Sequence, residues 1–584
     1  MECTMPWVPD SKLMENIFHL AIQNSLQYEG KGQLSSVMGK VMGTFPEARK
    51  HAKELTAIIK DTVEEANNLA EEKGIAHLKS ILEKNAPELL EKKVKEKRTG
   101  LPDLKNAENG KVVLRFAPNP NGPLSFGHSR GVVINSEYAK RYEGKWILRF
   151  DDTDTVRKPP LPEAYQLIQD EVQWLTGKPA DKVVIASNRI ETYYEFASKL
   201  IKKGGAYVCT LSADAFREFR QNKTNSPDRS RSPEENLKLW EKMLNGDFSP
   251  GEAVVRIKTD MTLPNPALRD WPALRIQDTE NNPHPRNEIK SKYKVWPLLD
   301  FQSAIEDHLQ GVTHIIRGKD LMDSTRKQTL LYNHFEWTYP ETVYWGRVKI
   351  HEFGGFSTSG MRNDIEEGKY RGWDDSRLPT LASMRRRGFS AEGLRNFWIE
   401  LALTQKDISA SMATIYSHNV KIIDESTPRL FFVREPIEIN LENGNEEIPR
   451  VFNTQVHPED IKLGLRKWEI SKENTTIYLE KKDLELAKNN NYKIRLKDFA
   501  DIEINGNKAK INSINPSEKL PIIHWLDSNN CTKATLETTI EDELELIHGM
   551  LEKSNHVKVQ SIVQLERIGY AKLEHENELI FLHD

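Results

Sequence analysis

Along the first hundred positions, apolar residues recur at helical spacing. Leu55, Ile59, Val63, Ala66 and Ala70 fall at intervals of four, four, three and four, and charged residues fill the opposite face. The pattern changes near residue 109. Val112-Val113-Leu114-Arg115-Phe116 reads as a buried strand. The prolines and glycines of 117–127 then forbid both helix and ladder, and 129–139 reads as helix. A second short strand is predicted over 145–150 and a second helix over 163–175. Such alternation predicts a parallel sheet covered by helices, with any ligand at the carboxyl ends of its strands. Between about 206 and 300 the rhythm breaks, as an insertion would. There a polar stretch, 222–233, precedes a helix that starts near Glu234, with Ser232 a candidate cap. Alternation returns over 312–320 and 343–350, and 366–418 reads as helical and basic. From about 420, β-rich runs such as 475–479 and 579–582 are separated by turns such as Asn443-Gly444-Asn445 and Asn489-Asn490-Asn491, which predicts all-β barrels.

The chain has 584 residues, too many for one core, so several domains are expected. A net charge of −4 places any nucleic-acid contact in local basic patches rather than in a global field. Cys3, Cys209 and Cys531 are too scattered for a disulfide framework and fit a reducing cytosol. No apolar run approaches the roughly 18 residues of a membrane span, and the N-terminus, with Glu2 and Asp10, lacks a secretory pattern.

The chemistry concentrates in Arg115-Phe116-Ala117-Pro118-Asn119-Pro120-Asn121-Gly122-Pro123-Leu124-Ser125-Phe126-Gly127-His128. Strand, tight loop and helix start together present free N–H groups and a positive dipole end to phosphates. His128 can donate to an α-phosphate or simply pack at the helix start. Arg115, at the strand end, suits capture of a carboxylate or an ion pair with Asp151. The cluster Asp151-Asp152-Thr153-Asp154 can bind an amino group or only fix its loop.

These residues resemble the class I aminoacyl-tRNA synthetases of the glutamyl/glutaminyl group, and more narrowly their archaeal glutamyl type. RFAPNPNGPLSFGH (115–128), LRFDDTD (148–154), SPEENLKLWEKM (232–243), GEAVVRIKTDM (251–261), NPALRDWPALRI (265–276), DFQSAIEDHLQGVTHIIRGKDL (300–321), GWDDSRLPTLASMRRRG (372–388) and KIIDESTPRLFFV (421–433) follow the family's order. The resemblance implies an N-terminal helical appended region (1–108) and a Rossmann-type catalytic domain in two halves (109–205 and 301–355). It further implies an acceptor-stem-binding insertion (206–300), a signature loop with a helical stem-contact domain (356–418), and anticodon-binding β-barrels (419–584). The implied reaction joins glutamate to tRNA through glutamyl-adenylate, with the first step needing bound tRNA. ATP is a substrate accompanied by Mg2+, and a cytoplasmic monomer without membrane contact is expected. tRNA-Glu is the expected partner, with tRNA-Gln left open as a second one.

By the same resemblance Arg115 neutralises the glutamate side chain, Ala117 and Asn119 line that pocket, Asp151 holds the α-amino group, and Arg317 joins them. Pro118, Gly127 and His128 contact ATP, with His128 steadying the transition state. Ser357, Thr358 and Ser359 lie in the second phosphate loop. Arg385, Arg386 and Arg387 are expected to face tRNA, the alternative being a solvated face. The charged run 91–98 reads either as a solvated helix end or as a tRNA-contacting patch. Arg466, Lys467 and Trp468 either stack on anticodon bases or belong to a barrel core.

The departures matter equally. Ser125 stands where the family usually has the first signature histidine, and can donate one hydrogen bond but carries no charge. Gly360 stands where archaeal relatives usually have the phosphate-clamping lysine, with Arg362 a possible substitute if the loop shifts. Leu298-Leu299 replaces the Tyr that often precedes Asp-Phe. Only Cys209 remains near Tyr207, with Leu211 two positions on, so no zinc is expected. A glutaminyl-tRNA synthetase is the alternative within the class. A non-catalytic tRNA-binding paralogue, motivated by Ser125 and Gly360, is the alternative outside it. A shortened tRNA-base-modifying paralogue is disfavoured by the presence of the barrels.

Overall fold

The computed structural model describes residues 9–90, 100–354, 356–471 and 475–584, so the charged run 91–98 lies outside the described residues. Residues 1–98 and 99–584 form two compact units. The first contains α1 (Ser11–Gln27), α2 (Leu34–Thr44), α3 (Ala52–Lys73) and α4 (Ile75–Asn85). Asp10 caps α1 by accepting the Leu13 N–H at 2.7 Å. The apolar stripe of α3 (Leu55, Ile59, Val63, Ala66 and Ala70) is buried as its spacing predicts, in one core with Ile17, Ile22, Val41 and Leu82.

The second unit opens with β1 (Val113–Phe116), α5 (Phe126–Arg141), β2 (Lys145–Phe150), α6 (Ala164–Thr176), β3 (Lys182–Ile185) and α7 (Ile190–Lys202). β1, β2 and β3 pair in parallel. Gly131 lets α5 lie close on β1, because a Cβ there would sit 2.6 Å from the Phe116 ring. The insertion follows: β4 (Ala206–Cys209), α8 (Ala213–Asn222), α9 (Pro233–Asn245), β5 (Val254–Ile257), β6 (Pro272–Ile276) and β7 (Val295–Pro297), whose strands form an antiparallel sheet in chain order. Ser232 does cap α9, and Glu235 returns a bond to the Ser232 N–H. Cys209 packs with Tyr207, Phe216 and Met261 in a small apolar cluster.

The parallel sheet resumes after α10 (Leu299–Leu309) with β8 (His314–Gly318), α11 (Met322–Phe335) and β9 (Glu341–Trp345). Thr313 joins β8 to β1: its N–H donates to the Val113 carbonyl at 2.9 Å, and its hydroxyl accepts the Val113 N–H at 2.9 Å. The strands therefore run β3-β2-β1-β8-β9, and chain order reverses between β1 and β8, where open α/β sheets leave a crevice at their carboxyl ends. The run 343–350 is not one strand. It breaks at Gly346, whose carbonyl accepts from the buried Arg130 guanidinium at 2.9 Å, and β10 (Val348–Ile350) follows. Next come α12 (Thr358–Glu366), α13 (Leu381–Arg387), α14 (Ala391–Leu401) and α15 (Met412–Ile423). Leu101 and Leu104 already belong to the core of this unit.

The β-rich region folds as two seven-stranded sheets that each close on themselves, with a two-stranded antiparallel ribbon (Val451–Gln455 and Leu465–Glu469) beside them. In one, the edges are Arg429–Leu430 and Phe432–Arg434, successive pieces of one extended stretch that pairs with both ends of a sheet otherwise built from 531–583. In the other, Ile522–Ile523 and Leu526–Asp527 close strands from 436–513 in the same way. Closure removes exposed sheet edges. The second barrel is thus inserted into the first. Arg466 and Trp468, offered as stacking residues, belong to the interior: Trp468 sits in the barrel core, and Arg466 Nε donates to Glu552 Oε1 at 2.7 Å with both side chains almost wholly buried. Only Lys467 between them is exposed.

Two predictions follow from this packing. Glu552 also accepts the Phe431 N–H at 3.0 Å, so Glu552→Ala orphans a buried guanidinium and a backbone donor. The expected loss is roughly 3–5 kcal/mol, seen as an earlier denaturant midpoint for the barrels, and a paired Arg466→Met/Glu552→Leu variant recovers most of it. The second concerns Glu171 on α6, buried beneath the Gly/Pro loop, where it accepts the Leu124 N–H at 2.7 Å. Burial pushes its carboxyl from 4.5 up to about 8, against the pull of that N–H and of Arg385. The folded state therefore holds this proton more tightly than the unfolded one. The associated stability is complete below the unfolded value and is lost as pH rises through about 8. Melting curves should show Glu171→Gln gaining on the parent protein as pH rises from 5 to 8.5; a constant gap would contradict this.

Candidate active site

Two cavities open at the carboxyl ends of the parallel strands. The first, about 170 Å³, is lined by Arg115, Phe116 and Ala117 from β1 and its loop, Asp151 after β2, Ser303 on α10, Arg317 on β8, Gln328 on α11 and Trp345 at the end of β9. The second, about 560 Å³, is lined by Ser125, Gly127 and His128 at the start of α5, by 347–350, and by Ser357 and Thr358 at the start of α12. Trp345 lines one and Arg347 the other, so a single turn separates the two.

Arg115 does not pair with Asp151. Its Nε and NH2 reach the two carboxylate oxygens of Asp307 at 3.2 and 3.4 Å. Arg149, alternating with Arg115 across the sheet, donates NH1 to the same Asp307 at 2.7 Å, Nε to Asp151 at 2.8 Å and NH2 to Ser303 at 2.9 Å. Asp151 also accepts from Gln302 at 2.6 Å and Ser303 at 3.3 Å. Burial raises the Asp151 pKa, opposed by Arg149. For Asp307, burial pushes upward, but Arg115, Arg149 and Arg317 outweigh it and hold its pKa below the usual carboxylate range.

Arg317 completes the wall and is 5% exposed. Its NH1 and NH2 share the amide oxygen of Gln328, each at 3.2 Å, and its Nε is buried without a partner. Burial, and then the positive charge of Arg115, lower its pKa. Tyr339 donates to the same Gln328 oxygen at 2.6 Å, and burial raises its phenol to about 12. Three guanidiniums (Arg115, Arg149 and Arg317) thus face two carboxylates (Asp151 and Asp307), leaving one positive charge in a buried site. Buried charge of this kind is costly until an anion enters.

In the second cavity Ser125 caps α5. Its hydroxyl accepts the His128 N–H at 3.4 Å, while its own N–H donates to His128 Nδ1 at 3.3 Å. Packing at the helix start and phosphate donation are therefore compatible. With Nδ1 an acceptor, the ring proton lies on Nε2, outside the cap. The surrounding protein and then Lys158 lower the His128 pKa. Gly122 brings the two signature loops together: a Cβ there would lie 2.7 Å from Thr358 Cγ2 and 2.9 Å from Trp373. Ser357 caps α12 by accepting the Gly360 N–H at 3.0 Å.

Several expected positions lie elsewhere. Asn119 does not line the first cavity; its amide donates to the Lys158 carbonyl at 3.3 Å. Pro118 lines neither cavity, and its carbonyl accepts the Asp151 N–H at 3.0 Å. Ser359 is exposed on α12, outside the cavity lining. Asp152 is structural, holding Tyr165 at 2.6 Å and the Ser187 hydroxyl at 2.7 Å. The run 385–387 narrows to one exposed arginine, Arg385. Arg386 pairs with Glu574 at 2.7 Å and Glu537 at 3.2 Å on the adjoining barrel, and Arg387 donates to the Phe581 carbonyl at 3.4 Å. Charge alternation at a domain joint looks the same in sequence as a nucleic-acid patch, which is why the run misled. Arg149, Ser303, Asp307 and Gln328 went unnoticed, although Arg149 lies inside the quoted 148–154 segment and Ser303 and Asp307 inside 300–321; the contacts that join Arg149, Asp151, Ser303 and Asp307 at one point cross more than 150 residues.

Comparison with known proteins agrees with this architecture. The catalytic-domain model of the class I tRNA synthetases (E and Q) matches residues 111–425, and the two anti-codon binding domain models of the same group match 427–518 and 522–574. A glutamate–tRNA ligase of Methanosarcina mazei is 45% identical over 97% of this chain and 96% of its own length. That of Archaeoglobus fulgidus is 43% identical over 97% and 98%, and that of Thermococcus kodakarensis 42% over 96% and 97%. Domain order, cavity and sequence agree that the chain belongs to the class I tRNA synthetases of the glutamate and glutamine (E and Q) group.

Proposed function

We propose that the chain is a glutamate–tRNA ligase that activates L-glutamate with ATP and transfers it to the 3′ end of tRNA-Glu. The observation that carries this reading is the unbalanced guanidinium cluster of the first cavity. Zwitterionic glutamate carries one net negative charge and neutralises it, whereas glutamine carries none. In this reading the side-chain carboxylate lies against Arg115 and Arg317, and Asp151 receives the ammonium group. The α-carboxylate then points toward the second cavity, where ATP enters with Mg2+ as its counter-ion. A carboxylate oxygen attacks the α-phosphorus, the bond to the bridging oxygen breaks, and pyrophosphate leaves with the electron pair. His128 Nε2–H donates to the α-phosphate oxygens as their charge redistributes, aided by the N–H groups at the start of α5. The terminal adenosine hydroxyl of tRNA next attacks the glutamyl carbonyl, and AMP departs. Arg385 is the candidate tRNA contact left by the joint at 386–387, and the closed barrels supply the anticodon-binding end.

Aminoacylation of separate tRNA-Glu and tRNA-Gln transcripts with labelled glutamate tests this directly. Product on tRNA-Glu is expected. Tight tRNA binding with no product on either would establish a binding-only protein, and charging with glutamine instead would establish the glutaminyl alternative. Arg317→Leu removes the guanidinium that has no carboxylate of its own. The glutamate KM should rise roughly 10- to 100-fold with kcat far less affected, because a charge-assisted hydrogen bond in a buried site contributes about 1.5–3 kcal/mol. An unchanged KM would remove Arg317 from substrate recognition.

A further inference from the structure

Gly360 leaves the second signature loop without the cation that its position would supply. It is the third residue of α12 and carries no side chain. Arg362 does not make up the loss. Its Nε is turned along the helix to Glu366 at 2.8 Å, its NH1 reaches the Pro159 carbonyl at 3.5 Å, and it is absent from the cavity lining. Two helix N-termini converge there, but each contributes only about half a positive charge. A triphosphate about to release pyrophosphate calls for a full one.

The opposite wall carries it. Arg347 and Lys349 stand two residues apart at β10, so strand alternation puts both side chains on one face. Both are exposed, and both line the cavity with His128, Ser357 and Thr358. They are not equivalent. Asp407 accepts the Arg347 N–H at 2.7 Å and feels the Arg347 charge, while it also pairs with Lys319 at 2.9 Å. Neither side chain forms an ion pair among the described residues, but the Asp407 carboxylate offsets part of the Arg347 charge. Lys349 is therefore the less neutralised cation on this wall. Lys158, which acts electrostatically on His128, lies outside the lining.

We propose that Lys349 is the phosphate-clamping cation of this enzyme, occupying from β10 the role that Gly360 has vacated in the loop. This rests on the ligase reading above. The ammonium group holds the β- and γ-phosphates and stabilises the charge that gathers on pyrophosphate as the bond to the α-phosphorus breaks. A cation on a sheet strand is also held more rigidly than one on a loop, so less ordering is needed when ATP binds.

The test is glutamate- and tRNA-dependent ATP–pyrophosphate exchange by the full chain. If the unaltered protein shows none, the ligase reading fails, and the failure is not specific to Lys349. If it exchanges, Lys349→Met should lower kcat roughly 100-fold or more, with a smaller change in the KM for ATP. Lys349→Arg should keep activity within about tenfold of the parent, as expected if charge is what acts. Gly360→Lys in the Lys349→Met background should recover at least about tenfold. The site can take that side chain, because a Cβ at Gly360 would meet only Ser357 Oγ, at 3.0 Å. Exchange by Lys349→Met within about threefold of the parent overturns the proposal. So does a loss that neither Lys349→Arg nor Gly360→Lys relieves in protein with an unchanged melting curve, or a comparable loss confined to Lys158→Met.

Discussion

One carboxylate organises the catalytic centre. Asp307, fully buried on α10, accepts from Arg115 on β1 and Arg149 on β2, and so fixes two neighbouring strands and one helix at a single point. A guanidinium at a strand end would otherwise sweep through several rotamers. Tied by one edge, Arg115 keeps its remaining donors aimed into the cavity, and Arg149 keeps Asp151 in place. The low dielectric that makes such a network costly also makes it strong once every member has a partner. Here one member does not, because the Arg317 guanidinium shares only a neutral amide oxygen. In the proposed reading, this residual charge gives the site its preference for an acid.

The same logic of fixed groups governs the nucleotide side. The Gly/Pro loop has few internal bonds. It is held from outside, by Glu171 at Leu124, by the Phe126 N–H on the Pro379 carbonyl at 2.9 Å, and by the close approach of Gly122 to Thr358 and Trp373. Arg130 anchors the turn at Gly346 and so sets where β10 begins. The helices that follow are joined to the first barrel by Arg386 with Glu537 and Glu574, which ties the end of the catalytic domain to an anti-codon binding domain.

Much of this was legible in the sequence where the signal is local. The strand expected over 112–116, the turn, the helix expected over 129–139, the cap at Ser232 and the apolar stripe of α3 each follow from local spacing and turn chemistry, and the structure puts the strand at Val113–Phe116 and starts the helix at Phe126. His128 and Arg115 could be picked out because loop geometry frames them. What was not legible is non-local. Asp307 meets Arg115 across 192 residues, and no periodicity in either segment announces the pair. The closure of both barrels depends on short stretches, 429–434 and 522–527, that pair with two edges at once. Arg386 and Arg387 were expected to face tRNA or solvent, and Arg466 to stack on anticodon bases or join a barrel core, because sequence does not reveal which carboxylates or carbonyls will cover them.

The account stands or falls on that charge imbalance. Calorimetric titration of the unaltered protein with glutamate and with glutamine, at matched ionic strength, measures it without any chemistry. Glutamate should bind at least roughly tenfold more tightly, since glutamine leaves the guanidinium cluster unneutralised. Equal affinities, or a preference for glutamine, would mean that the cluster is balanced within the protein and does not select the substrate.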